Sequence, residues 1–402
     1  MYENAGEEWL KSDATVDKTL RNTLQLYRAI TFASFFCKSH SMVVYFSSKA
    51  VQLSLSRGIC EHTPLSLLQF TAVAIKDDNA MMCYRIAKNA LSLRERFDLA
   101  TQIPELYMNF YGRVAWRFEP FQAGVHKLRQ CLDAGLSSGR SDIGLFCGLN
   151  EIKYALFSGA NLKSLLKRID YYLHLMETYR SEATKNNVLI IRETVSSLID
   201  NGQATSIEAS ACVGDLNDPK NKLREAFFYY SAIRCFWLGH NGRCRYYGKK
   251  CIDLFWQGGQ ATSYVAKFYL GLNSLGLIRK KKKSEVQLNK EVVRVAIAAM
   301  KDAADNSDWN FSNKFRLLQA EHLSLNKRHD TFMYDESIES ARKSGFIHEQ
   351  GLACEKAGLY CKDVLNMEKA LEYLNQAREC YEKWGSDIKV AFIQKELDAL
   401  KG

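Results

Sequence analysis

From Leu24 to Ser56 the apolar residues return every three or four positions, the period of a helix with one buried face. A break near Ser39 to Ser41 divides the run into two predicted helices. Gly58 supplies a C-terminal glycine to the second, and His62-Thr63-Pro64 opens the next with proline in its first turn. Similar punctuation recurs at Glu119-Pro120, at Gly135 to Gly139 and at Ser158-Gly159, and helical periodicity resumes over Glu291 to Ala304 and Lys314 to Asn326. Hairpins of roughly 40 residues give at most about 18 helices. Two segments break the pattern. Asn201 to Asn221 carries Asn-Gly, small residues and Asp-Pro, and Arg279 to Asn289 opens on five consecutive cations that would repel one another along one helix. The expected organisation is a polar lead-in over 1–23, helical repeats over 24–200, a loop over 201–222, and repeats over 223–400 with a basic loop near 279–289.

Inside the helices a second pattern appears, small-x3-bulky-x2-small, most fully at Ala370, Leu374 and Ala377. Positions four and seven apart share one helix face, so small residues there let a neighbouring helix approach while the bulky one fills the gap. Gly358 lies twelve residues before Ala370, the spacing of paired small residues across a tetratricopeptide hairpin. The frame recurs as Ala80/Tyr84/Ala87, as Gly124/Leu128/Cys131, and as Cys244/Gly248/Cys251 with Ala232 twelve residues upstream; Tyr334/Ile338/Ala341 is a looser copy. Copies 44 residues apart (Ala80 to Gly124) and 36 apart (Tyr334 to Ala370) bracket the periods of helical-hairpin solenoids. The fold class expected is therefore all-α, a tetratricopeptide-like helical-hairpin solenoid (an α-α superhelix). Its repeat-packing residues are Ala80, Ala87, Gly124, Cys131, Ala232, Cys244, Gly248, Cys251, Gly358, Ala370 and Ala377.

Composition agrees with this. Only four prolines interrupt 402 residues, and 47% apolar with 12% aromatic residues supply a continuous core. Met1 to Lys11 is polar and acidic, the apolar run Ala29 to Cys37 is short, and nothing approaches the roughly 20 apolar residues of a membrane span, so a cytoplasmic protein is expected. The twelve cysteines form no C-x-x-C pair, and three of them occupy small positions of the repeat frame, where a thiol packs as a slightly larger alanine.

Catalytic patterns fail one by one. There is no G-x4-G-K-[ST], and Gly258-Gly259 is followed by no lysine in place, so no nucleotide or other cofactor site is expected. Gly135-Leu136-Ser137-Ser138-Gly139 has the letters of a nucleophile elbow, but its serine follows a helix instead of a buried strand. His348-Glu349 begins like a zinc-binding H-E-x-x-H, yet position 352 is leucine, which removes the second imidazole and with it the metal. The eight histidines are otherwise isolated and read as surface or edge residues, and Asn310-Phe311-Ser312 is a glycosylation sequon that matters only outside the cell. No catalytic residue is assigned, and the chain reads as a non-enzyme with no small-molecule substrate.

One surface signal remains. The net charge of +10 is concentrated between Asn241 and Lys283, where ten cations face one acid, Asp253. Arg243, Arg245, Lys249, Lys250, Arg279, Lys280, Lys281, Lys282 and Lys283 are the candidate partner-binding residues, for an acidic peptide or helix laid in the concave surface of the stack. Phosphate is an alternative, on a nucleic acid or an anionic membrane, with Tyr246, Tyr247 and Trp256 at hand for stacking, and so is a plain solvated loop and exposed helix face that serve only solubility.

A family resemblance gives this reading a setting. Gly345 through Ala353, Glu355 through Tyr360, Ala370 to Leu374, Cys380 through Gly385 and Lys389-Val390 resemble the last repeats of large signalling regulators, predicted ATPases fused to serine/threonine kinase, GAF, histidine kinase or cyclase modules. Phe268 to Ser274, Asp308-Trp309-Asn310 and Lys314-Phe315 are similar too, and the likeness spans roughly residues 40 to 398. It implies a helical-repeat region that joins an ATPase to an output domain. Walker, H-R-D and D-F-G signatures are missing, so the activities of those relatives do not carry over. What it leaves is a regulatory scaffold in signal transduction, partnered by a protein, with a separately encoded ATPase or kinase as one candidate.

Overall fold

The computed structural model describes residues 8–11, 13–37, 39–75, 79–97, 99–200, 213–218, 221, 223–255, 260–280, 286–326 and 331–401. Among them are eighteen α-helices and no strand. They are α1 (Lys18–Phe36), α2 (His40–Arg57), α3 (Thr63–Ala74), α4 (Ala80–Arg96), α5 (Ile103–Asn109), α6 (Phe121–Ser137), α7 (Ser141–Phe157), α8 (Leu162–Thr178) and α9 (Glu182–Ile199). The series continues with α10 (Arg224–Trp237), α11 (Asn241–Phe255), α12 (Ala261–Arg279), α13 (Val286–Asn306), α14 (Asp308–Leu323), α15 (Phe332–Lys343), α16 (Ile347–Asp363), α17 (Met367–Trp384) and α18 (Asp387–Lys401).

Two compact units divide the chain, Met1–Phe118 with His126–Gly148, and Glu119–Val125 with Leu149–Gly402. The expected division at 201–222 does not coincide with this one, because α9 and α10 pack on each other across that segment. Of the loop itself, 201–212, 219, 220 and 222 lie outside the described residues. Two boundaries also move: α1 begins at Lys18, ahead of the expected lead-in limit, and α13 begins at Val286, where Asn289 and Val293 already share a buried face.

Within each unit the fold is a stack of helical hairpins, consecutive helices packing on one another from α1 to α4 and from α8 to α18. One turn recurs between neighbours. After α10 the Gly239 N–H reaches Phe236 O and the His240 N–H reaches back to Cys235 O at 2.8 Å. The same pair of bonds closes α6, α7, α8, α15 and α16, so the orphan carbonyls of each helix end are met within one tight connection. The residue at its centre has positive φ. Glycine usually fills it, but after α16 it is Leu365, at φ 62° and 79% exposed.

Each of the eleven repeat-packing residues is buried. A Cβ added at Gly358 would stand 2.7 Å from Leu374 Cγ and 3.3 Å from Ala370 O, so α16 and α17 meet along Gly358, Ala370 and Leu374. Gly248 similarly admits Leu270 of α12, and Gly124 admits Tyr154 of α7 at 3.2 Å.

In the first unit a core of Val51, Ile59, Leu65, Leu67, Leu68, Ile86, Leu93, Leu106 and Phe110 joins α2 to α5. Gly135 packs against Gly144, so the G-x-S-x-G segment is the end of α6 and a glycine turn at Gly139, φ 75°.

The second unit closes on itself. Ser386 Oγ donates to Leu198 O at 2.6 Å, Asn161 Nδ2 to Lys383 O at 2.9 Å, and Lys163 pairs with Asp387 at 3.0 Å, joining α8 and α9 to α17 and α18. At the other end of that seam Asn310 Oδ1 accepts from the Phe121 N–H at 3.0 Å, and Gln122 Nε2 donates to Ser344 O at 3.0 Å. Its inner helices α12, α14 and α16 bury residues on every side, as helices do when surrounded by protein. The concave surface expected for a partner is therefore occupied, in this unit, by its own side chains. Asn310, fully buried and bonded at both ends of its amide, is no glycosylation acceptor in the folded chain.

Candidate functional site: a cationic helix face and a buried charged centre

The small-residue frame determines how α11 presents its charge. Cys244, Gly248 and Cys251 bury one side against the neighbouring helices. At about 100° per residue, Arg243, Arg245, Lys249 and Lys250 then fall on the opposite half of the circumference, with Tyr246 at its middle. Arg243 and Lys249 are exposed, Arg245 and Lys250 half-buried, and Tyr246 stands 59% exposed. Tyr247 points the other way, edge-on to Phe227 at 6.0 Å between ring centres. Trp256 lies outside the described residues.

The second half of the basic stretch is arranged differently. Asn273 Nδ2 donates to Asn241 O at 3.4 Å, so α12 runs back along α11 and its last residues, Arg279 and Lys280, lie at the end where α11 begins. Lys280 is exposed. Arg279 is engaged internally, 3.3 Å from the buried Glu321 and 2.5 Å from Ser324 Oγ, with Tyr334 donating to the same carboxylate at 2.6 Å. Its guanidinium holds an α12–α14 joint. Lys281, Lys282 and Lys283 lie outside the described residues.

The interior of the second unit holds charges that sequence reasoning did not find. Lys314 of α14 is fully buried, its Nζ 2.7 Å from Glu349 Oε2 and donating to Asn310 O at 2.7 Å, over the Phe346 ring at 4.1 Å. Asn313 Nδ2 donates to Glu349 at 2.5 Å, and His348 Nε2 stands 3.7 Å from its other oxygen. Burial acts on all three ionisable groups. It pushes the Glu349 carboxyl up and the Lys314 ammonium down, each opposed by the other's charge, and it holds the His348 imidazole well below its usual value with Lys314 adding to the effect. His348 is 2% exposed, packed against both Trp237 and Trp384, so the surface placement expected of it is overturned by its position three and four residues from Gly351 and Leu352 on the inner face of α16.

About two turns further along α16, Glu355 lies 2.6 Å from Lys389 Nζ and accepts from Tyr381 at 2.7 Å. Burial would raise its carboxyl, but Lys389, Lys356 and the Tyr381 hydroxyl outweigh it and the net shift is downward. Lys389 lies over the Trp237, Tyr381 and Phe392 rings. These charges sit among aromatic rings, with no serine or thiol hydrogen-bonded to His348 or Glu349 among the described residues. What such an arrangement does is fix the register of α14, α16 and α18, since a buried ion is tolerated only where its partner is. Among the described residues no group of three or more His, Cys, Asp or Glu side chains is placed to hold a metal.

No protein-family model matches the chain, and no curated protein matches it. Among solved structures it is similar to a circular tandem repeat protein with novel repeat topology and enhanced subunit contact surfaces, at 12% identity over 95% of this chain and 96% of that one. The TM-score is 0.22, too low for that likeness to bear on fold or function. No helix among the described residues is long and apolar enough to cross a membrane.

Proposed function

We propose that the chain is a non-catalytic, cytoplasmic helical-repeat scaffold that regulates a signalling pathway by binding a protein partner. The observation that carries this reading is the face of α11, where the repeat frame buries Cys244, Gly248 and Cys251 and leaves Arg243, Tyr246 and Lys249 exposed, with Arg245 and Lys250 half-buried beside them. Stacked hairpins hold such a face rigidly, and an exposed tyrosine ringed by cations suits an acidic peptide or helix. The resemblance of Gly345 to Val390 to the repeats of ATPase-linked regulators supports a separately encoded ATPase or kinase as the source of that partner.

The test is purification from the native cell with the wild-type chain and with Arg243→Glu/Lys249→Glu. A co-purifying chain retained equally by both would overturn the role of this face. Tyr246 favours one second reading, a nucleic-acid or anionic-membrane adaptor, because its exposed ring could stack on a base between phosphate contacts. Affinity for RNA or DNA that falls steeply with salt would support it, and no binding at low salt would end it.

A further inference from the structure

A groove of about 480 Å³ opens between the C-terminal end of α12, the N-terminal half of α13 and the residues after α14. Its wall is apolar: Ile278, Val293, Ile297, Ala298 and Leu325. Its polar lining is two cations on α13, Lys290 and Arg294, with the His322 ring of α14 beside them. Lys290 and Arg294 are four residues apart, so their head groups project one turn from each other along the same edge. Val293 and Ile297, also one turn apart, run beside them toward the apolar wall.

The nearby carboxylates neutralise this edge only in part. Glu321 is buried and committed to Arg279 and Tyr334, and Glu291 pairs with Arg294 at 2.6 Å across an exposed surface, where a partner's carboxylate competes with it, while Lys290 is left unmatched. Lys290 and Lys280 are both exposed, with no carboxylate within salt-bridge distance among the described residues. Charge therefore selects the occupant.

We infer that this groove docks an acidic amphipathic helix of the protein partner, bulky apolar residues three and four apart seated on Ile278, Val293, Ile297 and Leu325, and carboxylates one turn apart meeting Lys290 and Arg294. Apolar contact supplies affinity and the cations on one edge set orientation, because a helix laid in reverse would carry its carboxylates to the opposite edge. This deepens the scaffold reading and rests on it. The groove adds to the α11 face an anchoring site with a defined shape.

The experiment uses the full chain and a fluorescein-labelled helical peptide of about four turns with leucines at that spacing and glutamates along one edge. Fluorescence anisotropy is read for wild type, Ala298→Arg, Ile297→Asp and Lys290→Glu/Arg294→Glu, with circular dichroism melting to show that each is folded. The expected result is binding weakened about tenfold or more by Ala298→Arg and by the charge reversal, and restored to the reversed variant by a peptide with lysines in place of glutamates. Ala298 is exposed, so its substitution keeps the test decisive should Ile297→Asp fail to fold. No binding of the acidic peptide, or equal binding by wild type and the groove variants, overturns the inference. Loss of binding on Arg245→Glu/Lys249→Glu alone would move the peptide to α11, keeping the scaffold reading and ending this one. Capture of acidic vesicles or RNA in place of the peptide would end both.

Discussion

Replacing Lys314 by methionine should be among the most damaging single changes in the second unit. The ammonium makes two contacts at 2.7 Å, to Glu349 and to Asn310 O, and no part of it reaches solvent. Methionine fills the same volume over the Phe346 ring but leaves the Glu349 carboxylate with Asn313 alone. Orphaning one member of a buried ion pair costs about 3–5 kcal/mol. Glutamine at 349 keeps an acceptor for Asn313 without a charge, so Lys314→Met/Glu349→Gln should recover most of that loss, a coupling of about 2 kcal/mol or more. The pH dependence follows the same logic. Glu349 already has its carboxyl raised above 4.5, and without Lys314 it rises further, so the variant's native state takes up a proton that the unfolded chain does not hold. Stability of the variant therefore falls as pH rises through that window, and its deficit against wild type shrinks on acidification. Denaturant unfolding followed by tryptophan fluorescence reads this directly, since Trp237 and Trp384 pack at 4.8 Å between ring centres beside His348. A single-variant cost under about 1 kcal/mol, additive costs in the double variant, or a deficit constant between about pH 5 and 8 would refute the reasoning.

Three further expectations can be checked with similar material. Gly358→Ala should destabilise by about 1–2 kcal/mol, because crowding against Leu374 and the immobile Ala370 O exceeds the helix-propensity gain, whereas Gly276→Ala should stabilise by about 0.5–1 kcal/mol; nothing lies within 4 Å of a Cβ at Gly276, and thermal melts of opposite sign are the readout. His348 stays neutral in the fold while the unfolded chain takes a proton below 6.5, so its contribution is lost as pH falls below that value, by up to about 1.4 kcal/mol per unit relative to His348→Phe in urea titrations. Cys37 is the exposed thiol among the described cysteines, so a thiol reagent applied to the native protein should modify it quickly and Cys60, Cys131, Cys244 and Cys354 only on unfolding.

What could be read in advance was whatever repeats at helical spacing. Ala80, Gly124, Cys244, Gly358 and Ala370 were legible as contact points because a small residue at fixed intervals records a close approach in the chain itself. Pro64 and Gly58 marked helix ends for equally local reasons. Lys314, Glu349, Glu355 and Lys389 were not, because a charged letter reads as surface until its counter-charge is located, and Lys314 and Glu349 are 35 residues apart. A usable signal did exist: Lys314 is three residues from both Phe311 and Leu317, and His348, Leu352 and Glu355 share one face of α16, so the charges are in register with the apolar stripe. Glu349, Glu355 and Lys389 all lie between Gly345 and Val390 and all are buried, so these charged letters of that stretch belong to the core. The α11 cations were visible as a cluster, but their separation from Arg279, which Glu321 holds, depends on contacts no linear spacing records.

The seam of the second unit bears on how it is made. An open array can gain order one hairpin at a time, whereas Ser386 meets Leu198 across 188 positions and Phe121 meets Asn310 across 189. Such distant pairings are slow to form and reward the chain only late. During synthesis α8 and α9 emerge long before the helices that cover them, with Leu162, Ile169, Ile190 and Val195 wet in the interval. A nascent chain stalled short of α17 would therefore be a natural client for chaperones, and the second unit of the finished protein should unfold as one cooperative block instead of fraying repeat by repeat.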